Sequence, residues 1–342
     1  MSNRTVAAIG ALILLTGQLA LAMDVSPYRP GQVLTTEQAH ELQKRYAERK
    51  MQNWKPAPDK ASIDQHPDAE LIRYGIDVLD KTAATIGPKV ADPGKRYSGN
   101  SLNCSSCHLK GNDGLPGTRY LAIPFNNVVN DYPNFRARSM TIGTAADRIN
   151  GCMSRSMGDG KPLPLESREM KGILAYYAWL AEGTQKDQAM HGTGMPKVNL
   201  PDRAADLAKG KTVYEKQCQS CHGINGAGLK APDYDKTGNY LFPPLAGKDS
   251  FNDGAGMSRI KKATRFIHAN MPLGTDPENP ALSDEEAFDV AGYVESLDRP
   301  NRPGRDKDFP DPAFRPSDYP VPAYFGDDNR ALERANYGPF TT

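Results

Sequence analysis

Apolar residues recur at three- and four-residue steps in five stretches of the chain, and each predicts an amphipathic helix. The first covers about 36–50 and carries no evident chemistry. The second runs from Ala69 to about Ala84, with Asp68 as its cap and Leu71, Gly75, Val78, Leu79 and Thr82 on one face. The third, from about Leu165 to Leu180, has Met170, Ile173, Leu174, Tyr177 and Leu180 as its stripe. The fourth is predicted to start at a capping Asp202 and run through Leu207, Gly210 and Tyr214. The fifth opens on Ser283 and Glu286, a capping box, and its stripe is Ala287, Val290, Ala291, Val294 and Leu297. No convincing alternation of β-branched residues occurs, so the expected fold class is all-α. The second to fifth helices form two pairs. Each pair has an opening helix, a long irregular stretch and a closing helix, so one plan is repeated.

The ends of the chain differ from this middle. Arg4 followed by the apolar run Val6–Leu15 and then Ala20-Leu21-Ala22 predicts a cleaved signal peptide over residues 1–22. An uncleaved anchor is the alternative, but the run is short for a membrane span and Thr16 and Gln18 interrupt its end. Export to the periplasm follows either way. The expected organisation is an N-terminal extension (23–68), a first domain (69–182), a linker (183–204), a second domain (205–299) and a proline-rich arm (300–342). The arm holds Phe309, Phe314, Tyr319, Tyr324, Phe325, Tyr337 and Phe340. Disordered tails are poor in aromatics, so it is expected to be pinned onto the domains.

Composition narrows the classes. A net charge of +1 with 24% charged residues argues against a general nucleic-acid binder. A hydrophobic content of 38% and a mean hydropathy of −0.61 exclude a protein with several membrane spans. The five cysteines cannot all pair within one chain, and an oxidising compartment rarely tolerates idle thiols.

Four of the five sit in two strings, Cys104-Ser-Ser-Cys107-His108 and Cys218-Gln-Ser-Cys221-His222, one in each repeat. C-x-x-C-H is the attachment signature of c-type haem. Two thiols on one turn reach the two vinyl groups of a porphyrin, and the next residue offers its imidazole to the iron. A thioredoxin-like C-x-x-C needs a βαβ setting that is absent. A zinc ribbon needs its pairs closer together than Cys107 and Cys218. A plain disulfide leaves both histidines unexplained. Two covalently attached c-type haems are therefore expected, with His108 and His222 as proximal ligands. The two repeats then read as tandem class I cytochrome c domains with long loops.

The distal ligand decides the chemistry of a haem. In the second repeat Met271, within Asn270-Met271-Pro272, is the expected ligand and makes an electron-transferring site; His268 and Met257 are the alternatives. The first repeat has no Met-Pro. Its corresponding segment contains the fifth cysteine, Cys152, together with Met153 and Met157, and spacing alone does not choose among them. Arg136, Arg138, Arg148, Arg155 and Lys161 crowd the same stretch against Asp131, Asp147 and Asp159. Arginine binds oxyanions through a planar fork of donors, so an anion site beside Cys152 is expected.

The segment Arg148-Ile-Asn-Gly-Cys152-Met-Ser-Arg-Ser-Met157, lying between two haem signatures, resembles the dihaem thiosulfate dehydrogenase (tetrathionate synthase) family across roughly 69–299. The resemblance implies His108 and Cys152 on the first haem and His222 and Met271 on the second. It implies a reaction that joins two thiosulfates into tetrathionate with release of two electrons, which some members run in reverse. The expected electron route is from the first haem to the second, then to an external cytochrome c or high-potential iron–sulfur protein. Some members carry a lysine before the distal methionine; here Asn270 stands there, which leaves the preferred direction open. The rival readings are a non-enzymatic dihaem electron carrier and a haem subunit of a larger oxidising complex.

Overall fold

The computed structural model describes residues 24–340. The signal peptide expected at 1–22 lies outside the described residues. Helix α1 (Thr36–Ala47) is closed at its start by a Thr35/Gln38 capping box. It buries Ala39 and Leu42 with Val25, Leu34, Met140 and Ile142. Strand β1 (Met51–Gln52) follows, then the helices of the first repeat.

The predicted helix 69–84 is two helices, α2 (Ala69–Asp80) and α3 (Thr82–Ile86). Lys81 leaves the helical region, with φ −123° and ψ 41°. The break turns the buried Thr82 hydroxyl toward Cys104, whose backbone N–H it accepts at 3.0 Å. Asp68 occupies the cap position but makes no capping hydrogen bond. The stretch expected to be irregular then holds a short antiparallel pair, β2 (Asn134–Arg136) and β3 (Thr141–Gly143), and an unpredicted helix, α4 (Ala145–Met153). The closing helix α5 (Arg168–Leu180) begins three residues later than expected, where Ser167 Oγ caps the Met170 N–H at 3.1 Å. Strand β4 (Ala189–Met190) pairs with β1.

The second repeat opens with α6 (Leu207–Gln217), capped by Asp206, which accepts from the N–H groups of Ala208 and Lys209 at 3.1 and 3.0 Å. The expected cap, Asp202, is too early because the chain between them is drawn onto the closing helix. Arg203 bonds the Asp289 carboxylate at 2.6 and 3.0 Å, and the Asp206 N–H donates to the same group. Next come α7 (Gln219–His222), β5 (Leu229–Lys230), α8 (Tyr234–Thr237) and β6 (Tyr240–Phe242), with β5 and β6 antiparallel. A second unpredicted helix, α9 (Ile260–Asn270), precedes α10 (Asp284–Ser296), whose Ser283/Glu286 capping box is present. The class is all-α, with strands of two or three residues only among the described residues.

The opening and closing helices of each repeat cross at a glycine. A Cβ on Gly75 of α2 would lie 2.0 Å from the Gly172 carbonyl oxygen of α5, and one on Gly210 of α6 would lie 2.0 Å from that of Asp289 on α10. Only glycine permits so close an approach.

The C-terminal arm is packed, and it ends in α11 (Asn329–Tyr337). Phe309 and Tyr319 are buried with Val321 against Ala137. Phe314 stacks near Phe135 and His40, while Phe340 meets Phe288 of α10. Asp308 of the arm receives Arg155 Nη2 at 2.7 and 3.0 Å and the Tyr319 hydroxyl at 2.6 Å. Both charged side chains are largely buried. Removing one partner leaves an unpaired buried charge, so Asp308→Ala is expected to cost about 3–5 kcal/mol. Chemical denaturation measures this, and a loss under about 1 kcal/mol contradicts it.

Candidate haem sites and the cysteine–arginine pocket

Both C-x-x-C-H strings are single turns; the second follows α6 directly, and the first comes after a loop beyond α3. In the first, Cys104–Ser106 forms a 3₁₀ turn and the His108 N–H donates to the Cys104 carbonyl at 3.0 Å. In the second, the His222 N–H donates to the Cys218 carbonyl at 2.9 Å. Each imidazole is oriented in the same way. His108 Nδ1 lies 2.6 Å from the Ile123 carbonyl oxygen, and His222 Nδ1 lies 2.9 Å from that of Pro243. A backbone carbonyl on Nδ1 fixes the tautomer and leaves Nε2 as the ligating atom. Burial lowers both histidines, His108 to about 4, so each imidazole is neutral at pH 7 and able to bind iron. Phe125 stacks on His108 with centroids 4.3 Å apart.

The first site faces a cavity of about 1270 Å³, mouth included. Its wall carries Cys104, Cys107 and His108 together with Cys152, Met153 and Met157. The rest is mostly apolar, with Leu79, Ile86, Leu102 and Ile173 among the lining. Burial pushes the thiols of Cys104 and Cys107 up to about 11 and 12. The apolar lining and the donor set fit a porphyrin attached through two thioethers.

Helix α4 brings the fifth cysteine to this wall. Thr144 and Asp147 form a reciprocal capping box at its start, with the Asp147 N–H 3.2 Å from Thr144 Oγ1. One turn links Arg148 to Cys152, and Arg148 Nη1 lies 2.9 Å from Cys152 Sγ. The charge of Cys152 holds the Arg148 guanidinium above the usual arginine range. Met153 and Met157 are buried in the core of the first repeat.

The five basic residues of this stretch have different surroundings. Arg136 reaches α4 beside Gly151, its Nη1 is buried without a hydrogen-bond partner, and burial lowers its pKa. Arg138 Nη1 donates to the Gly254 carbonyl at 2.7 Å and lies 3.7 Å from Asp308; burial and the neighbouring Arg155 lower it to about 10. Arg155 is committed to Asp308, as described above. Lys161 is exposed. Arg136 and Arg148 are thus the cations of this stretch that stand free of carboxylates near Cys152. Lys262 of α9, absent from the sequence reading, joins them from the second repeat. Burial, then the charges of Arg259, Arg148 and Arg138, bring it down to about 8 against the opposing pull of Asp318. No local pattern marks it, because Arg148, Arg138 and Asp318 are distant from it in sequence. The Thr144-x-x-Asp147 signature was the signal that could have revealed α4.

At the second site Met271 is the first residue beyond α9, its N–H bonded to the Ile267 carbonyl at 2.8 Å. Of the alternatives, His268 Nε2 is 3.0 Å from Asp284, and Met257 packs against the core of the first repeat.

Comparison with known proteins agrees with this geometry. The cytochrome c family pattern matches residues 207–298. The thiosulfate dehydrogenase of Psychrobacter arcticus is 37% identical over 74% of this chain and 71% of its own length. That of Allochromatium vinosum is 42% identical over 60% of this chain and 72% of its own. Among solved structures, the thiosulfate dehydrogenase (TsdBA) of Marichromatium purpuratum superposes with a TM-score of 0.64 at 33% identity. That match covers 74% of this chain, which spans half the length of the solved one. The cofactor is covalently bound c-type haem, and the chain belongs to the thiosulfate dehydrogenase family.

Proposed function

We propose that this chain is a dihaem oxidoreductase of the periplasm that couples two thiosulfates into tetrathionate and passes two electrons to an external acceptor. The balance is two S₂O₃²⁻ giving one S₄O₆²⁻ and two electrons, with no proton or oxygen transfer. The observation that carries this reading is the Arg148–Cys152 contact of 2.9 Å on the wall that also holds His108. His108 and Cys152 would hold the iron of the first haem, and His222 and Met271 that of the second; Cys104, Cys107, Cys218 and Cys221 would be the thioether anchors. Each haem, when bound, supplies a one-electron acceptor, so the pair matches the two electrons released. The domains run over 69–182 and 205–299, and the leader at 1–22 directs export.

The chain's own residues handle the charge problem. Two dianions repel, and a buried site without cations would exclude them. Arg136, with an unpartnered buried Nη1, and Arg148 offer donors for sulfonate oxygens, while Lys262 adds charge from the second domain. Arg138 and Arg155 share the single carboxylate of Asp308, which offsets part of their charge. The acceptor is a cytochrome c or a high-potential iron–sulfur protein, and the reverse reaction uses the same groups.

Lys262 gives this reading a pH signature. It is protonated below about pH 8 and loses its positive charge above it, so dianion binding weakens as pH rises. KM for thiosulfate is expected to rise roughly tenfold above that point. Lys262→Arg, which keeps its charge, is expected to flatten the rise; a flat wild-type KM across the same range contradicts the assignment.

A carrier with histidine–methionine ligation at both haems is the competing reading. Low-temperature electron paramagnetic resonance separates the two: the enzyme is expected to give a thiolate low-spin signal, and a carrier gives none.

A further inference from the structure

Two hydrogen bonds join the histidine loop of the first haem domain to the methionine loop of the second. Arg119 Nη2 donates to the Thr275 carbonyl at 2.5 Å, and Asn270 Nδ2 donates to the Leu121 carbonyl at 3.3 Å. Met271 lies between these two fastenings in sequence. We infer that Asn270 and Arg119 are positioning residues that lock the Met271 loop to the His108 loop, so that ligation at one haem is coupled to ligation at the other. The inference rests on Met271 and His108 being haem ligands.

The backbone from Leu121 to Ile123 is unusual. Leu121 and Ile123 hold φ values of 59° and 56°, a left-handed conformation that side chains of this kind rarely adopt. Such strain persists only where surroundings impose it and clusters at functional sites. Here the Leu121 N–H is tied to the Gly192 carbonyl at 2.9 Å, and Ala122 between them is fully buried. The result is a rigid three-residue piece. Its Leu121 carbonyl meets Asn270, and its Ile123 carbonyl holds His108 Nδ1 at 2.6 Å. That second bond sets the orientation and basicity of the imidazole, so a shift of the piece reaches the first iron.

Asn270 itself argues for position over stability. It is fully buried, and its Oδ1 has no hydrogen-bond partner. A half-satisfied buried amide is costly compared with an apolar side chain of the same shape. What it retains is the link to Leu121.

Purified holo-protein tests this with Asn270→Ala, Arg119→Met and Arg119→Lys, read by two spectra. The thioether-to-iron charge-transfer band reports the second haem, and low-temperature electron paramagnetic resonance reports the first. Asn270→Ala and Arg119→Met are expected to weaken the band and also to shift the low-spin signal of the first haem. Arg119→Lys, which keeps a donor, is expected to restore both. Arg119 is only partly buried, so its variants keep the test available if Asn270→Ala does not fold. An unchanged first-haem signal in Asn270→Ala or Arg119→Met overturns the coupling. If Met271→Leu also leaves the band intact, the ligand assignment itself fails, a distinct outcome.

Discussion

Replacing Cys152 with alanine should lower thiosulfate turnover by about a thousandfold or more, with both haems still attached. The reason is local. Cys152 lies one turn from Arg148 on α4, in contact with its guanidinium, and on the wall of the cavity that holds His108. It is the only described cysteine outside the two attachment strings, so its loss removes no thioether anchor. In the proposed reaction it also removes the soft donor next to the reacting sulfur atoms. Cys152→Met tests the point further, since it supplies a larger, uncharged thioether in place of the thiol. It too is expected to be nearly inactive, because Arg148 loses its charged partner. Full activity in either variant, with mass spectrometry showing both haems in place, contradicts the assignment.

Replacing Met271 with histidine should lower the midpoint potential of the second haem by about 0.2 V, a quarter of the roughly 0.8 V range that axial ligands command. A thioether stabilises the reduced iron; an imidazole does so less. The competing donors are already occupied, His268 by Asp284 at 3.0 Å and Met257 by the first core. Neither of these two alternatives is therefore free to take over the role. A redox titration in which both potentials match the wild type would show that another residue ligates that haem.

The parts of this structure that were legible in the sequence are those set by local pattern. The five striped helices exist, and the Ser283/Glu286 box starts α10 as read. The C-x-x-C-H turns were unmistakable because thiol spacing and imidazole follow from one turn of backbone. Helix ends were less legible. Asp206 and not Asp202 caps α6, because the Arg203–Asp289 pair draws the preceding segment away. Helices α4 and α9 were missed altogether. Both are short, and both contain residues such as Arg148, Asn150 and Lys262 on faces that look polar until the partner surface is known. What sequence could least show is which arginine does what. Arg155 and Asp308 are separated by 153 positions, and only the folded arm brings them together. The same holds for Asn270 and Leu121, 149 positions apart. A segment of striking local charge thus resolved into two arginines held by carboxylates or carbonyls of the arm and second domain, and two left facing Cys152.

The central claim is that this chain makes a sulfur–sulfur bond from two thiosulfates. The direct measurement is stoichiometry with purified holo-protein: thiosulfate plus a one-electron acceptor, tetrathionate plus a reductant, with sulfur species and electrons counted together. One tetrathionate formed for every two thiosulfates consumed and two electrons transferred is the predicted result. Haems that accept and donate electrons to small mediators yet leave both sulfur compounds untouched would contradict it.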